Sequence, residues 1–226
     1  MNESIIYTFI KWSLRFVLFF FSLIFIILLL TKWINPPITT VILSESISLD
    51  QKVNQEWRTI DKIGKNVILT VLASEDSNFC THYGFDFNEI FRAKEKGFSR
   101  GASTISQQVS KNLILWRERS WFRKGLEALI TIMIETLWSK KRILEIYLNI
   151  AETGNGYFGI QAISNSLFKK NSYDLTLKEA SYIAVTLPNP KKRNAKKLSI
   201  NLKKRAESIR NGANTLRLDG RASCVL

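Results

Sequence analysis

The sequence is poor in histidine and cysteine. Its 226 residues include one histidine, His82, and two cysteines, Cys80 and Cys224. Such counts exclude a disulfide framework, a multi-cysteine zinc site and any chemistry that needs two histidines. The two cysteines could pair in an oxidising compartment, but Cys224 lies near the chain end, where order is often lost, so we expect both to stay free. Any chemistry must therefore use carboxylates, hydroxyls, amides and cations.

Acidic residues are also scarce. The 33 Lys and Arg residues against 19 Asp and Glu residues give a formal net charge of +14. Because 46% of the residues are apolar, the chain is no disordered polycation, and we expect a folded protein with an anionic partner. Residues 188–226 contain eleven basic and two acidic residues. We expect this stretch to be a solvated, partly helical extension, and contact with anionic lipid headgroups is the alternative.

Long apolar runs are limited to one. Residues 16–31 carry no charge, and Trp12 and Trp33 flank them as the aromatic residues of a membrane interface would. Because about 20 residues are needed to cross a bilayer, we predict an anchor over residues 12–34. No small-residue cleavage site follows the run, so we expect the anchor to be retained. The charge bias around the run places residues 1–11 in the cytoplasm and residues 35–226 on the periplasmic side of a bacterial inner membrane.

Beyond the anchor, the hydrophobic periodicity predicts a mainly α fold. We expect a juxtamembrane linker over residues 35–60, a helical domain over residues 61–190 and a basic C-terminal tail over residues 191–226. Glycines and polar turns separate the predicted helices. These helices cover residues 67–75, 86–96, 103–115, 121–138, 140–150, 158–168 and 176–186.

The first candidate cluster of functional residues lies at the end of the apolar run 67–74. Glu75 and Asp76 follow this run directly, which places a carboxylate at the edge of a buried helix. Partial desolvation raises the pKa of a glutamate and makes it a better base, which suits proton transfer. The alternative is that Glu75 and Asp76 only end a core helix and pair with nearby cations. The cluster also contains Phe79, His82, Gly84 and Asp86.

The second cluster is the segment GASTISQQVSKN, residues 101–112. Thr104 and Gln107 have the spacing of a capping box, which predicts the start of a helix. Apolar residues at every fourth position would face the core and leave Thr104, Gln108 and Lys111 on a separate stripe. A hydroxyl, an amide and an ammonium group near a helix N-terminus suit the binding of anions and sugars. A solvated amphipathic helix is the alternative.

The third cluster opens a helix that is otherwise apolar as far as Trp138. It consists of Arg123, Lys124 and Glu127. An acid on so hydrophobic a helix needs water, cations or a ligand beside it. An ion pair between Arg123 and Glu127, four residues apart, would satisfy this need without any catalytic role.

Taken in order, the three clusters resemble the motifs of the peptidoglycan glycosyltransferases of family 51. Two further motifs of that family follow in place, S-K-x-x-I-L-E-x-Y-L-N at residues 139–149 and G-x-x-G-x-x-A at residues 156–162. The resemblance implies a lysozyme-like helical glycosyltransferase domain, with two lobes beside a cleft that faces the bilayer, behind a single transmembrane helix. It also implies the reaction: lipid II is polymerised into β-1,4-linked glycan strands, with inversion at the donor anomeric carbon and release of undecaprenyl pyrophosphate.

The same resemblance implies roles for individual residues. Glu75 matches the catalytic base, and Glu127 matches a second glutamate that would orient phosphate-binding cations or a divalent ion. Lys111, Arg123 and Lys124 match the groups that bind pyrophosphate. The implied substrate-positioning residues are Ser103, Thr104, Gln108 and Asn112. The implied supporting residues are Asp76, Phe79, His82, Gly84 and Asp86.

The resemblance further sets expectations for cofactors and partners. No cofactor and no protein-bound metal are expected, and Mg²⁺ or Mn²⁺ at the pyrophosphate site is the alternative. The expected partners are lipid II, the lipid-linked growing strand, the membrane and other proteins of cell wall synthesis or division, but no nucleic acid. No transpeptidase domain is expected beside the glycosyltransferase.

Two rival functions are compatible with parts of the pattern. A lytic transglycosylase also uses one glutamate in a lysozyme-like cleft, but it cleaves glycan and needs no pyrophosphate site. The cations at Lys111, Arg123 and Lys124 argue against it. A non-enzymatic, membrane-tethered basic module that binds nucleic acid or acidic lipids would explain the positive charge alone.

Overall fold

The computed structural model describes residues 3–95, 97 and 101–226. It divides the chain into two units, Met1–Pro36 and Pro37–Leu226. The first unit is helix α1 (Glu3–Thr31) followed by a turn. Among the described residues, α1 alone is long and apolar enough to cross a membrane, over Ile6–Thr31. This confirms the predicted apolar N-terminal helix, although the helix begins well before residue 12 and ends ahead of residue 34.

The second unit is mainly helical, as predicted. Each predicted helix has a counterpart whose ends agree within two residues, and residue 96 of the predicted helix 86–96 lies outside the described residues. The helices are α2 (Thr40–Leu49), α3 (Lys65–Glu75), α4 (Phe87–Glu95), α5 (Ile105–Ile114), α6 (Trp121–Leu137), α7 (Lys140–Ile150), α8 (Ile160–Phe168), α9 (Leu177–Ala184) and α10 (Ile200–Asp219). Two 3₁₀ helices cover Ile60–Lys62 and Ser172–Asp174.

A small sheet completes the unit. Its strands are β1 (Asn54–Gln55), β2 (Glu152–Gly154) and β3 (Tyr157–Phe158), in the order β1-β3-β2. β1 is parallel to β3, and β2 is antiparallel to β3. The stretch predicted as a linker over residues 35–60 thus contributes a helix and a strand to the folded unit.

Two groups of packed helices hold the functional motifs. α3 packs against α9 and α10, and α5 packs against α6 and α7. Thr104 is the N-cap of α5, where the predicted capping box with Gln107 is present. Ile105 and Val109 of α5 are fully buried, so the opposite stripe of the helix is turned towards the cavities described below. Sequence periodicity therefore decides which α5 side chains are available for chemistry.

The basic tail is packed rather than solvated. Its helix α10 lies against α3 and α9. A Cβ placed on Gly212 would lie only 3.3 Å from the Cβ of Ala73 in α3, so the two helices approach closely. The expectation of a solvated extension is wrong, because the apolar residues of the tail recur at helical spacing and outweigh its charge. The buried residues of α10 are Ala206, Ile209, Ala213 and Leu216.

A disulfide joins Cys80 to Cys224, with the two Cα atoms 5.8 Å apart. The expectation of two free cysteines is therefore wrong. It assumed a mobile chain end, but Ala222 and Val225 are buried and hold that end in place. The bond ties the last residues of the chain to the segment that follows Glu75.

Candidate active site

Glu75 is the last residue of α3, and its half-buried carboxylate accepts hydrogen bonds from two neutral donors. Its Oε1 accepts one from the Ser74 hydroxyl at 2.9 Å, and its Oε2 accepts one from the Gln108 side-chain amide at 3.2 Å. Gln108 lies on α5, so the first and second clusters meet at this point. The two donors direct the carboxylate.

Asp76 joins the end of α3 to the start of α5. Its Oδ2 accepts a hydrogen bond from the backbone N–H of Ile105 at 3.0 Å, and its Oδ1 lies 2.9 Å from His82 Nε2. The ring of Phe79, only 1% exposed, packs edge-on against the His82 ring. Asp76, Phe79 and His82 thus hold the turn after Glu75 against α5.

Gly84 and Asp86 shape the segment between α3 and α4. Gly84 has φ = 81°, and a Cβ there would lie 2.8 Å from Cγ2 of Thr131, so the position requires glycine. Asp86 accepts a hydrogen bond from the Glu89 backbone N–H at 3.0 Å and another from Asn78 at 2.8 Å. Although partial burial acts to raise the pKa of Asp86, these hydrogen bonds hold it below its ordinary value.

Three adjoining cavities surround the N-terminal half of α5. The first, of about 400 Å³, contains Glu75, and the second, of about 570 Å³, contains the cations of the third cluster. A third cavity of about 210 Å³ lies towards β2. Gln108 and Lys111 line all three, and Ser103 and Arg119 line the first two. The Glu75 carboxylate and the cations therefore line adjoining cavities that share walls.

The cations of the third cluster are held by Glu127. Arg123 Nη1 donates to Glu127 Oε2 at 2.7 Å, and Lys124 Nζ forms an ion pair with Glu127 Oε1. Lys124 Nζ also lies 3.2 Å from the Ser103 hydroxyl. The predicted ion pair between Arg123 and Glu127 is present. The pair stabilises the buried acid and also fixes the position of the cation, so it is compatible with both a structural and a functional role.

Lys111 lies between the first two cavities. Burial lowers the pKa of Lys111, as do the positive charges of Arg123, Lys124 and Arg117, while Glu127 acts to raise it. A partly desolvated ammonium group beside other cations is suited to receiving an anion, because a bound anion would offset both penalties.

The remaining predicted residues differ in whether they face the cavity that contains Glu75. The Thr104 hydroxyl donates to the Gly84 carbonyl at 2.7 Å and caps α5, so its hydrogen is used within the protein. Asn112 lines the third cavity rather than the one that contains Glu75. Ser103 is exposed at the junction of the first two cavities.

Four further residues belong to the site and are missing from the sequence prediction. Ser74 directly precedes Glu75, and Arg119 lies four residues before Arg123. This proximity to the predicted site residues is a signal that could have identified them. Arg205 of α10 lines the first cavity together with Glu75. Tyr147 reaches Gln108 from α7. Nothing in the local sequence distinguishes Arg205 from the other basic residues of the tail.

A helical scaffold that places the Glu75 carboxylate and several cations on adjoining cavities fits an enzyme that forms or breaks glycosidic bonds. Comparison with known families gives the class: residues 42–214 match the transglycosylase family, and the chain belongs to that family. The matched range ends inside α10, so it includes much of the segment described above as a basic tail.

Similar proteins narrow the class further. The chain is 41% identical over 214 residues to the biosynthetic peptidoglycan transglycosylase of Jannaschia sp. (strain CCS1), which covers 95% of this chain and 89% of that protein. It is 41% identical over 229 residues to the protein of that name from Mannheimia succiniciproducens, covering 97% and 94% respectively. A third protein of that name, from Haemophilus influenzae (strain PittEE), is 43% identical over 192 residues, which cover 80% of this chain and 79% of that protein. The resemblance inferred from the motifs is thereby confirmed.

Proposed function

We propose that this enzyme polymerises lipid II into the glycan strands of peptidoglycan. The observation that carries the proposal is the shared cavity of Glu75 and Lys111, which continues past Arg119 to Arg123 and Lys124. The family match and the similar biosynthetic transglycosylases support it. Glycan extension needs a base at the attacking hydroxyl and cations at the leaving pyrophosphate, and this cavity system offers both.

Glu75 acts as the general base. Its carboxylate takes the proton from the 4-hydroxyl of the acceptor sugar as that oxygen forms a bond to the anomeric carbon of the donor. The bond from that carbon to the pyrophosphate oxygen breaks, and the electron pair leaves with undecaprenyl pyrophosphate. Attack from the face opposite the leaving group inverts the α anomer to β.

The leaving group is stabilised by cations and needs no protonation. Lys111, Arg123 and Lys124 bind pyrophosphate oxygens and offset the charge that accumulates on them in the transition state. Arg119 lies on the wall between the two cavities and joins this group. Ser103, Gln108 and Asn112 position sugar and phosphate groups, and Thr104 shapes the start of α5.

Glu127 orients the cations rather than taking part in proton transfer. Both of its oxygens are paired, one with Arg123 and one with Lys124. A divalent ion at Glu127 would have to displace Lys124, so Glu127 does not fit a metal ligand in this arrangement. Within the described ranges, no group of three or more His, Cys, Asp or Glu side chains could hold a metal ion. We propose that the reaction needs no cofactor.

The cellular arrangement follows from the substrate. One apolar N-terminal helix fits a single-pass membrane anchor. We propose that it lies in the bacterial inner membrane with the N-terminus in the cytoplasm and residues 35–226 in the periplasm. The Cys80–Cys224 disulfide supports this side, because such bonds persist in oxidising compartments. Lipid II and the growing strand share the same membrane, and proteins of cell wall synthesis or division are the proposed further partners.

The deciding experiment is turnover of lipid II by the purified full chain in detergent, with product size as the readout. We expect long glycan strands that a muramidase digests to disaccharide-peptide units. Polymeric peptidoglycan supplied to the same preparation should remain insoluble. Release of soluble fragments from the polymer, with no strand formed from lipid II, would instead identify a lytic transglycosylase.

Lys111 should set an alkaline limit on activity. Its role requires the protonated ammonium group, and its pKa is lowered by burial and by neighbouring cations, so turnover should decline with rising pH before ordinary lysines lose their protons. In Lys111→Arg the guanidinium stays charged, and the decline should move to higher pH. The check is a pH–rate profile for both proteins. Identical alkaline limbs would show that another group titrates there.

A further inference from the structure

A path of hydrogen bonds leads from the catalytic carboxylate into the core. Tyr147 of α7 is only 1% exposed, and its hydroxyl donates to Gln108 Oε1 at 3.3 Å. The Nε2 of the same Gln108 amide donates to Glu75 Oε2 at 3.2 Å. Three helices, α3, α5 and α7, are thereby connected through one amide group.

The direction of the hydrogen bonds along this path determines which end of the Gln108 amide faces Glu75. An amide presents an acceptor on one side and a donor on the other. With the amide reversed, Gln108 Oε1 would face the ionised carboxylate of Glu75, and two acceptors would repel each other. A hydroxyl that donates to Oε1 favours the orientation in which Nε2 faces the carboxylate.

Tyr147 is suited to remain a hydrogen-bond donor at neutral pH. Burial, together with the negative charges of Glu75 and Asp76, raises the pKa of Tyr147 well above its ordinary value. A phenol with a raised pKa keeps its proton at neutral pH. Tyr147 lines the third cavity and not the one that contains Glu75, so it reaches the Glu75 carboxylate through Gln108.

We propose that Tyr147 is a positioning residue for the glycosyl transfer, which holds the Gln108 amide in the orientation that directs the ionised Glu75 carboxylate towards the acceptor sugar. The inference rests on the proposed function, since it assigns Glu75 as the base. It adds a residue of the buried face of α7 to the machinery, and it makes Gln108 the link between core and cavity.

A double-mutant cycle tests the proposal through the turnover number for lipid II. Loss of one neutral hydrogen bond should lower kcat in Tyr147→Phe by about five- to tenfold, with KM nearly unchanged. Gln108→Ala should lower kcat at least as much. Because Tyr147 acts through Gln108, the double variant should be no slower than Gln108→Ala alone. Tyr173→Phe, at an exposed position, is the matched control and should retain wild-type kcat.

A second readout does not depend on activity. In ¹⁵N-labelled full chain, the side-chain amide signals of Gln108, identified by their loss in Gln108→Ala, should shift in Tyr147→Phe and in Glu75→Gln but not in Tyr173→Phe. Unmoved signals in Tyr147→Phe would overturn the proposal even if the chain polymerises lipid II. Losses in kcat that multiply in the double variant would do the same, because they indicate a purely structural effect of Tyr147. Failure of the wild-type chain to polymerise lipid II would count against the proposed function instead.

Discussion

Replacing Glu75 with glutamine should remove nearly all lipid II polymerisation while the fold persists. Glutamine keeps the shape of the side chain but cannot take the proton of the acceptor hydroxyl. General-base catalysis by a positioned side chain contributes about 10²–10⁴-fold, so we expect kcat to fall by about that factor. KM for lipid II should change little, because the loss concerns the transition state. Steady-state polymerisation measures the effect, and near-UV circular dichroism checks the fold.

A matched control distinguishes the loss of a general base from the loss of a negative charge in the cavity. Glu89 lines the same cavity as Glu75, but it pairs with Arg92 at 2.7 Å on α4. Because such exposed pairs contribute little, Glu89→Gln should stay within about threefold of the wild type. Equal losses in the two variants would mean that negative charge in the cavity matters more than a base at position 75. Retained polymerisation in Glu75→Gln would remove Glu75 from the mechanism.

The sequence predicts best those parts of the fold that are determined by residues close together in the chain, such as helix caps. The capping box of Thr104 and Gln107 is present at the start of α5, and Ser120 and Ser139 cap α6 and α7. Each of these signals acts within one turn of helix, so it is readable without knowledge of the tertiary fold. These signals place the second and third clusters on α5 and α6, whereas the assignment of α3, α5 and α6 to one site came from the family resemblance.

The parts that sequence reading misses depend on contacts between distant segments. Arg205 reaches the first cavity only because α10 packs on α3, and this packing depends on small residues such as Gly212. Tyr147 meets Gln108 across 39 positions of sequence. Arg205 has no local signature of function. Tyr147 belongs to the motif at residues 139–149, but its contact with Gln108 depends on where α7 places it against α5.

The site also shows why a structural and a functional interpretation of one contact are hard to separate. The ion pair between Arg123 and Glu127 satisfies a buried acid and at the same time holds a cation in the wall of the second cavity. A sequence can reveal the pair through its spacing. Only the structure shows that Arg123 lines the second cavity together with Lys111 and Lys124.

Removal of the disulfide should have the largest effect on stability. The bond joins residues 144 positions apart, and cross-links that close long loops restrict the unfolded chain most. We expect Cys80→Ser/Cys224→Ser to lower the free energy of unfolding by about 3–5 kcal/mol. For a unit of this size, that corresponds to a decrease in melting temperature of about 10 °C. Thermal and denaturant unfolding of the full chain in detergent measure the change.

Reduction provides the control for this prediction. A reducing agent should lower the stability of the wild type to that of the double serine variant and should leave the variant itself unaffected. The chain end should remain on the protein in both, because Ala222 and Val225 are buried and Arg221 contacts Asn78. Unchanged stability on reduction would show that packing of α10 alone holds the end. A decrease confined to the reduced and serine forms would instead make the oxidising compartment a condition for a stable enzyme, because the same bond anchors the turn that follows Glu75.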